Sequence, residues 1–184
     1  SGRPAHRLNV SQGQSLLRER TDGPEPPIIL ASGSPRRRML LELIGLPIEV
    51  IPSGVDERPG DGESPVAFAR RAARDKALDI AGRHPQRRVL GADTVVEIDG
   101  AILGKPAGVE AACAMLRSLS GREHMVHTAV SLVVAGKEQG LVDTAIVRFA
   151  DLEDDVISWY VASGEPMDKA GAYGIQDDFG AVFV

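Results

Sequence analysis

An acidic residue inside an apolar segment is the clearest sign of chemistry in this sequence. Asp93 lies in the run VLGADTVV, residues 89–96, whose other members are apolar or small except for Thr94. Burying a carboxylate is costly unless a cation or a metal ion neutralises it. We therefore expect Asp93 to act in catalysis or to bind a metal. The alternative is a structural salt bridge with Lys105.

A second polar group precedes a predicted helix. The segment Ser32-Gly33-Ser34-Pro35 follows a short apolar strand and is itself followed by Arg36, Arg37 and Arg38. Backbone N–H groups and hydroxyls at the start of a helix can bind an anion. Cations there oppose the helix dipole, so an anion such as phosphate would explain the arginines. The glycine spacing and lysine of a P-loop are absent. The alternative is a capped helix with solvated arginines.

Lys76 and Glu57 extend the set of candidate residues. Lys76 falls on the apolar stripe of a predicted helix, with Ala73 and Ile80 at three- and four-residue steps, although a lysine at the edge of such a stripe is commonly solvated. Glu57 follows Asp56 in a loop rich in glycine and proline, where acids are usually solvated too. Together, an anion site, lysines and carboxylates meet the needs of metal-assisted attack on a polyphosphate.

The elements that must position these residues alternate between strands and helices, with hairpins towards the C-terminus. This order predicts an α/β fold with a mixed sheet flanked by helices. The predicted strands are 28–31, 48–51, 89–98, 101–104, 126–134, 141–149 and 181–184. The first predicted helix starts at Pro35, and the others cover 65–82, 109–119 and 153–162. We expect Leu40, Leu43 and Ile44 to form the apolar face of the first helix.

A hairpin connects two of the candidate residues. Asp99-Gly100 is a favourable two-residue turn, so residue 98 should face residue 101. Continuing this register places Thr94 opposite Lys105 and Asp93 opposite Pro106. The sequence thus predicts that Asp93 and Lys105 are neighbours.

Composition limits the class of protein. The 184 residues fit one domain, which we place at residues 28–184 after a flexible N-terminal extension, residues 1–27. A formal net charge of −5 argues against nucleic-acid or anionic-membrane partners. Cys113 is the only cysteine, which excludes an internal disulfide and fits a reducing compartment. Since no apolar run resembles a membrane span or a signal peptide, we expect a cytoplasmic protein.

Several blocks of the sequence, in order, resemble the Maf family, also called septum-formation inhibitor proteins. The family consists of nucleoside triphosphate pyrophosphatases related in fold to the inosine triphosphatases, which implies an elongated mixed sheet flanked by helices. The blocks are ILASGSPRRRMLLELIG, VDE, ARDKA, GADTVVEIDGAILGKP, MLRSLSGREHMVHTAV and SGEPMDKAGAYGIQ, which together reach from Ile28 to Gln176. After Gln176 the sequence departs from the family pattern, which continues into a further strand and a last helix. Either the domain lacks that segment or the segment lies beyond Val184.

The resemblance implies roles for individual residues. Asp93 would be the catalytic acid/base or would organise a divalent metal, Mg²⁺ or Mn²⁺. The polar site around the triphosphate and metal would be completed by Ser32, Arg37, Glu57, Lys76 and Lys105. Arg36, Thr94 and Gln176 stand at the positions that separate the substrate branches, and they match the dTTP/UTP branch.

The resemblance also implies a homodimer with a link to cell-division arrest. Two alternatives stay open at this point. One is the same hydrolysis on another nucleotide, such as CTP or 7-methyl-GTP. The other is a nucleotide-binding regulator of division that does not turn its ligand over.

Overall fold

The computed structural model describes residues 25–175 and 183–184. Within these residues, six strands and four α-helices are present, and two short 3₁₀ turns cover Glu165–Asp168 and Ala170–Ala172. The strands are β1 Ile28–Leu30, β2 Ile48–Val50, β3 Val89–Ile98, β4 Ala101–Leu103, β5 Glu123–Val134 and β6 Lys137–Arg148. The helices are α1 Pro35–Leu43, α2 Pro65–Arg83, α3 Val109–Leu119 and α4 Asp154–Ala162.

The six strands form one mixed sheet, which confirms the predicted fold class. The order is β2-β1-β3-β5-β6, and the short β4 pairs with β3. Strand β1 runs parallel to both β2 and β3, whereas β3–β4, β3–β5 and β5–β6 are antiparallel. Strand β3 is therefore central, and it carries Asp93 in the middle of the sheet.

Local sequence signals explain where the elements begin and turn. The Ser64 side chain accepts a hydrogen bond from Ala67 N at the start of α2, and Pro65 occupies the first helical position. Asp99 and Gly100 both have positive φ, 52° and 79°, as a two-residue hairpin turn requires. The predicted pairing of Ile98 with Ala101 is confirmed.

Helix α2 packs directly against β3. Gly91 allows this approach, because a Cβ built there would overlap the carbonyl oxygen of Ala73 and lie 2.7 Å from Ala77 N. Helices α3 and α4 cover the opposite face over an apolar core that includes Phe149 and Tyr160. The close contact between α2 and β3 brings a helix face next to Asp93.

Three predictions about the elements need correction or fall outside the described chain. Strands β5 and β6 begin earlier than predicted, at Glu123 and Lys137, because their antiparallel pairing runs the full length from Glu123–Arg148 to Val134–Lys137 beside the hairpin. Of the predicted strand 181–184, residues 181–182 lie outside the described residues and 183–184 are not in a strand. The predicted N-terminal extension, residues 1–27, consists almost wholly of residues 1–24, which also lie outside the described residues.

Helix α1 does not bury the apolar face predicted for it. In the described structure, Leu40, Leu43 and Ile44 are 45%, 81% and 69% exposed, and no residue of α1 is buried. Arg37, near the N-terminus of α1, makes polar contacts that connect this helix to β3.

Among the helices described, none is long and apolar enough to cross a membrane.

Candidate active site

The centre of the candidate site is a buried ion pair between α2 and β3. Lys76 Nζ lies 2.8 Å from Asp93 Oδ1 and 2.7 Å from Glu57 Oε2. Asp93 is 7% exposed and Lys76 is 5% exposed, whereas the Glu57 side chain reaches in from an exposed loop. The predicted apolar-side position of Lys76 is confirmed, because that face of α2 rests on the sheet. Asp93 therefore has the cation that its burial requires, and that cation is Lys76.

The environment shifts the proton affinity of Asp93. Burial raises the pKa of the Asp93 carboxyl above its usual value, and this effect exceeds the opposing influence of the Lys76 and Arg37 cations. The nearby Glu57 carboxylate also raises the pKa. A carboxylate with a raised pKa is a stronger base, so Asp93 is suited to accept a proton during a reaction.

Arg37 joins the turn after β1 to the segment of β3 around Asp93. Its Nη1 donates hydrogen bonds to Ser32 Oγ at 2.8 Å and to Ala92 O at 3.0 Å. Its Nη2 donates to Thr94 Oγ1 at 3.1 Å. Burial lowers the pKa of the Arg37 guanidinium, against the influence of Asp93 and Glu57. These contacts bring Ser32, Arg37 and Thr94 together beside the ion pair.

Arg36 and Gln176 are two further predicted site residues. Arg36 is partly buried, and its charge contributes to lowering the pKa of Asp168, although the hydrogen bond from Lys169 is the largest cause. Gln176 lies outside the described residues.

Lys105 follows β4 and is exposed. The β3–β4 ladder ends at the pair Val96–Leu103, before it reaches Lys105. Within residues 25–175 and 183–184, no ion pair joins Lys105 to Asp93. The alternative in which Lys105 serves as the structural partner of Asp93 is therefore wrong, because α2 supplies that partner instead.

Two polar partners were not predicted from the sequence. Thr128 Oγ1 lies 3.4 Å from Thr94 Oγ1, since Thr94 and Thr128 face each other across β3 and β5. The Ala92 carbonyl accepts from Arg37. Only the β3–β5 register could have indicated Thr128, and a backbone carbonyl gives no sequence signal.

The site contains carboxylate oxygen atoms that could bind a divalent metal ion. Asp93 and Glu57 each place one carboxylate oxygen against the same Lys76 nitrogen. Among the described residues there is no group of three or more His, Cys, Asp or Glu side chains that could hold a metal ion. Mg²⁺ commonly binds through one or two carboxylates together with substrate phosphates and water, so this pair fits such an ion.

Known proteins resemble this chain over most of its length. The family model described as Maf-like protein matches residues 27–184. A dTTP/UTP pyrophosphatase from Symbiobacterium thermophilum is 50% identical, over 81% of this chain and 77% of the relative. Proteins of the same name from Syntrophus aciditrophicus and Thermus thermophilus are 48% and 49% identical. Those matches cover 85% and 83% of this chain and 77% and 79% of the relatives.

Proposed function

This chain belongs to the Maf-like protein family, and from that membership we propose that it hydrolyses dTTP or UTP to the nucleoside monophosphate and pyrophosphate. The observation that carries the proposal is the buried Asp93 carboxylate, paired with Lys76 beside a turn suited to anions. The identity of 48% or more to three dTTP/UTP pyrophosphatases supports the choice of substrate.

In the proposed reaction, Asp93 accepts a proton from the water that attacks the α-phosphorus. The bond from that phosphorus to the bridging oxygen breaks, and pyrophosphate leaves with the bonding electron pair. Lys76 and Lys105 would stabilise the negative charge that grows on the leaving group. The exposed position of Lys105 supports this role, because its ammonium is not committed to an ion pair within the described residues.

The remaining predicted residues would bind the nucleotide. The Ser32 hydroxyl and the backbone of its turn, with Arg36, would face the phosphates. Thr94 and Gln176 would select the base, as the family resemblance implies. Substitutions at these two positions should therefore change the preferred nucleotide more than the rate of the chemical step.

Asp93 and Glu57 are the residues that would hold Mg²⁺ or Mn²⁺. Such an ion, when bound, neutralises phosphate charge and polarises the reacting phosphoryl group. The acidic net charge of the chain supports a small-molecule substrate over nucleic acid. We also propose that the protein is a cytoplasmic homodimer, as the family resemblance implies. Sedimentation equilibrium would test the dimer.

Pyrophosphate release from a nucleotide panel tests the proposed function. We expect turnover of dTTP and UTP with Mg²⁺ or Mn²⁺, and slower turnover of CTP, GTP and 7-methyl-GTP. Isothermal titration with dTTP in the same buffers measures binding independently. Tight binding without pyrophosphate release from any nucleotide would contradict the hydrolase and favour the non-hydrolysing regulator.

Lys76→Met should displace the pH dependence of turnover. The Lys76 ammonium lowers the pKa of Asp93, so its removal should raise that pKa further. Because only the ionised carboxylate can accept a proton, the acid limb of the kcat profile should move to higher pH. Fixed-time assays of pyrophosphate release at a series of acidic pH values would measure this limb of the kcat profile.

The control for this experiment is Arg74→Met, which removes an exposed cation from the same helix. Arg74 lies 3.9 Å from Glu138 and makes no ion pair with Asp93 within the described residues. Its acid limb should match that of the wild type. An unmoved limb in an active Lys76→Met protein would show that Asp93 is not the titrating base.

A further inference from the structure

We propose that Arg37 positions Asp93, and that this role outweighs any contact of Arg37 with the triphosphate. The inference rests on the proposed function, since it concerns the same site. The sequence pattern alone placed Arg37 among the cations that face an anion. The contacts of its guanidinium point to a different role.

The acceptors of Arg37 lie on both sides of Asp93 in the chain. Nη1 holds the Ala92 carbonyl at 3.0 Å, and Nη2 holds the Thr94 hydroxyl at 3.1 Å. The second hydrogen of Nη1 holds Ser32 Oγ at 2.8 Å, in the turn after β1. One planar group thus fixes the residues before and after Asp93 and ties them to the neighbouring segment.

These bonds also restrict what Arg37 can offer a ligand. An arginine has five N–H donors, and the contacts above commit both hydrogens of Nη1 and one of Nη2. Only Nε–H and the second hydrogen of Nη2 remain for a ligand. A phosphate that competed for the committed donors would release the Ala92 carbonyl or the Thr94 hydroxyl. It would therefore free the strand segment that carries the base.

The shape of the guanidinium is essential to this role. A lysine keeps the positive charge but carries all its donors on one nitrogen, so it cannot span the separated acceptors. If Arg37 serves only as a charge near the phosphates, lysine should replace it well. If Arg37 positions Asp93, lysine should fail even though the charge remains.

The test compares Arg37→Lys with Arg38→Lys. Arg38 is the next residue on α1, is exposed, and pairs with Glu42 at 2.7 Å, outside the site. For dTTP hydrolysis by Arg37→Lys we expect kcat to fall at least about tenfold, because small misplacements of catalytic groups are costly. KM for dTTP and the inhibition constant of pyrophosphate should change less than about threefold, because uniform binding is retained. Arg38→Lys should match the wild type.

The opposite pattern would overturn the inference. An unchanged kcat in Arg37→Lys, or a rise in both KM and the pyrophosphate inhibition constant with kcat retained, would make Arg37 a phosphate ligand. If Arg37→Lys does not fold, Arg37→Gln, which keeps a planar donor group, is judged by the same criteria. A wild-type protein that releases no pyrophosphate would overturn the proposed function as well. If the wild type is active, a contrary result for Arg37→Lys overturns only the proposed role of Arg37.

Discussion

Asp93→Asn is expected to lower kcat for dTTP by at least about a hundredfold, as removal of a general base usually does. The substitution should leave the fold intact. The asparagine oxygen can still accept a hydrogen bond from Lys76, and Glu57 still supplies a negative charge at 2.7 Å from the same nitrogen. Pyrophosphate release measures the rate, and thermal unfolding followed by circular dichroism measures the stability.

The matched control for this variant is Asp75→Asn. Asp75 also lies in an ion pair, 3.3 Å from Arg71 on α2, but away from the buried site. We expect its kcat to stay close to the wild-type value. Folded Asp93→Asn protein with a near-normal rate would remove Asp93 from the mechanism and leave the Asp93–Lys76 pair as a structural feature.

Gly91→Ala is expected to lower the free energy of unfolding by at least about 2 kcal/mol, since overpacking a close contact is destabilising. The new Cβ would overlap the carbonyl oxygen of Ala73 and lie 2.7 Å from Ala77 N, both in the backbone of α2. A rigid helix cannot yield as a flexible side chain can, so α2 must move away from β3. Because Lys76 lies between these two contacts along α2, its distance from Asp93 should increase and kcat should fall.

Gly82→Ala is the control for the stability measurement. Gly82 lies near the end of the same helix, and a Cβ there would meet no heavy atom within 4 Å. We expect it to raise the free energy of unfolding by about 0.5–1 kcal/mol, because alanine favours helix over glycine. Urea denaturation of both variants would measure the two effects. Equal stability of Gly91→Ala and the wild type would contradict the proposed role of the glycine.

The Asp93–Lys76 pair explains how the site can keep a basic carboxylate inside the protein. An unpaired buried charge would be strongly unfavourable, and a fully neutralised one would be a weak base. Here burial still raises the pKa of Asp93 despite the two nearby cations. The balance between burial and pairing thus gives the carboxylate its suitability for proton transfer.

Most of the local structure follows from signals between residues that are close in the chain. The Ser64-Pro65 start of α2, the Asp99-Gly100 turn and the apolar β3 follow from capping, turn geometry and strand propensity, all of which involve residues close in the chain. Asp93 could also be singled out from the sequence, because an acidic residue in an apolar strand is unusual whatever its partner is. These signals were sufficient to predict the α/β class and to single out Asp93.

The pairing of groups that are distant in the chain depends on long-range packing. Lys76 and Asp93 are 17 positions apart, and Arg37 reaches acceptors 55 and 57 positions away. The exposed side of α1 is another result of long-range packing. Such pairings depend on how α2 and α1 dock against β3, and no local pattern encodes that placement. The sequence therefore indicated that Asp93 requires a cation, and the packing of α2 at Gly91 made that cation Lys76 rather than Lys105.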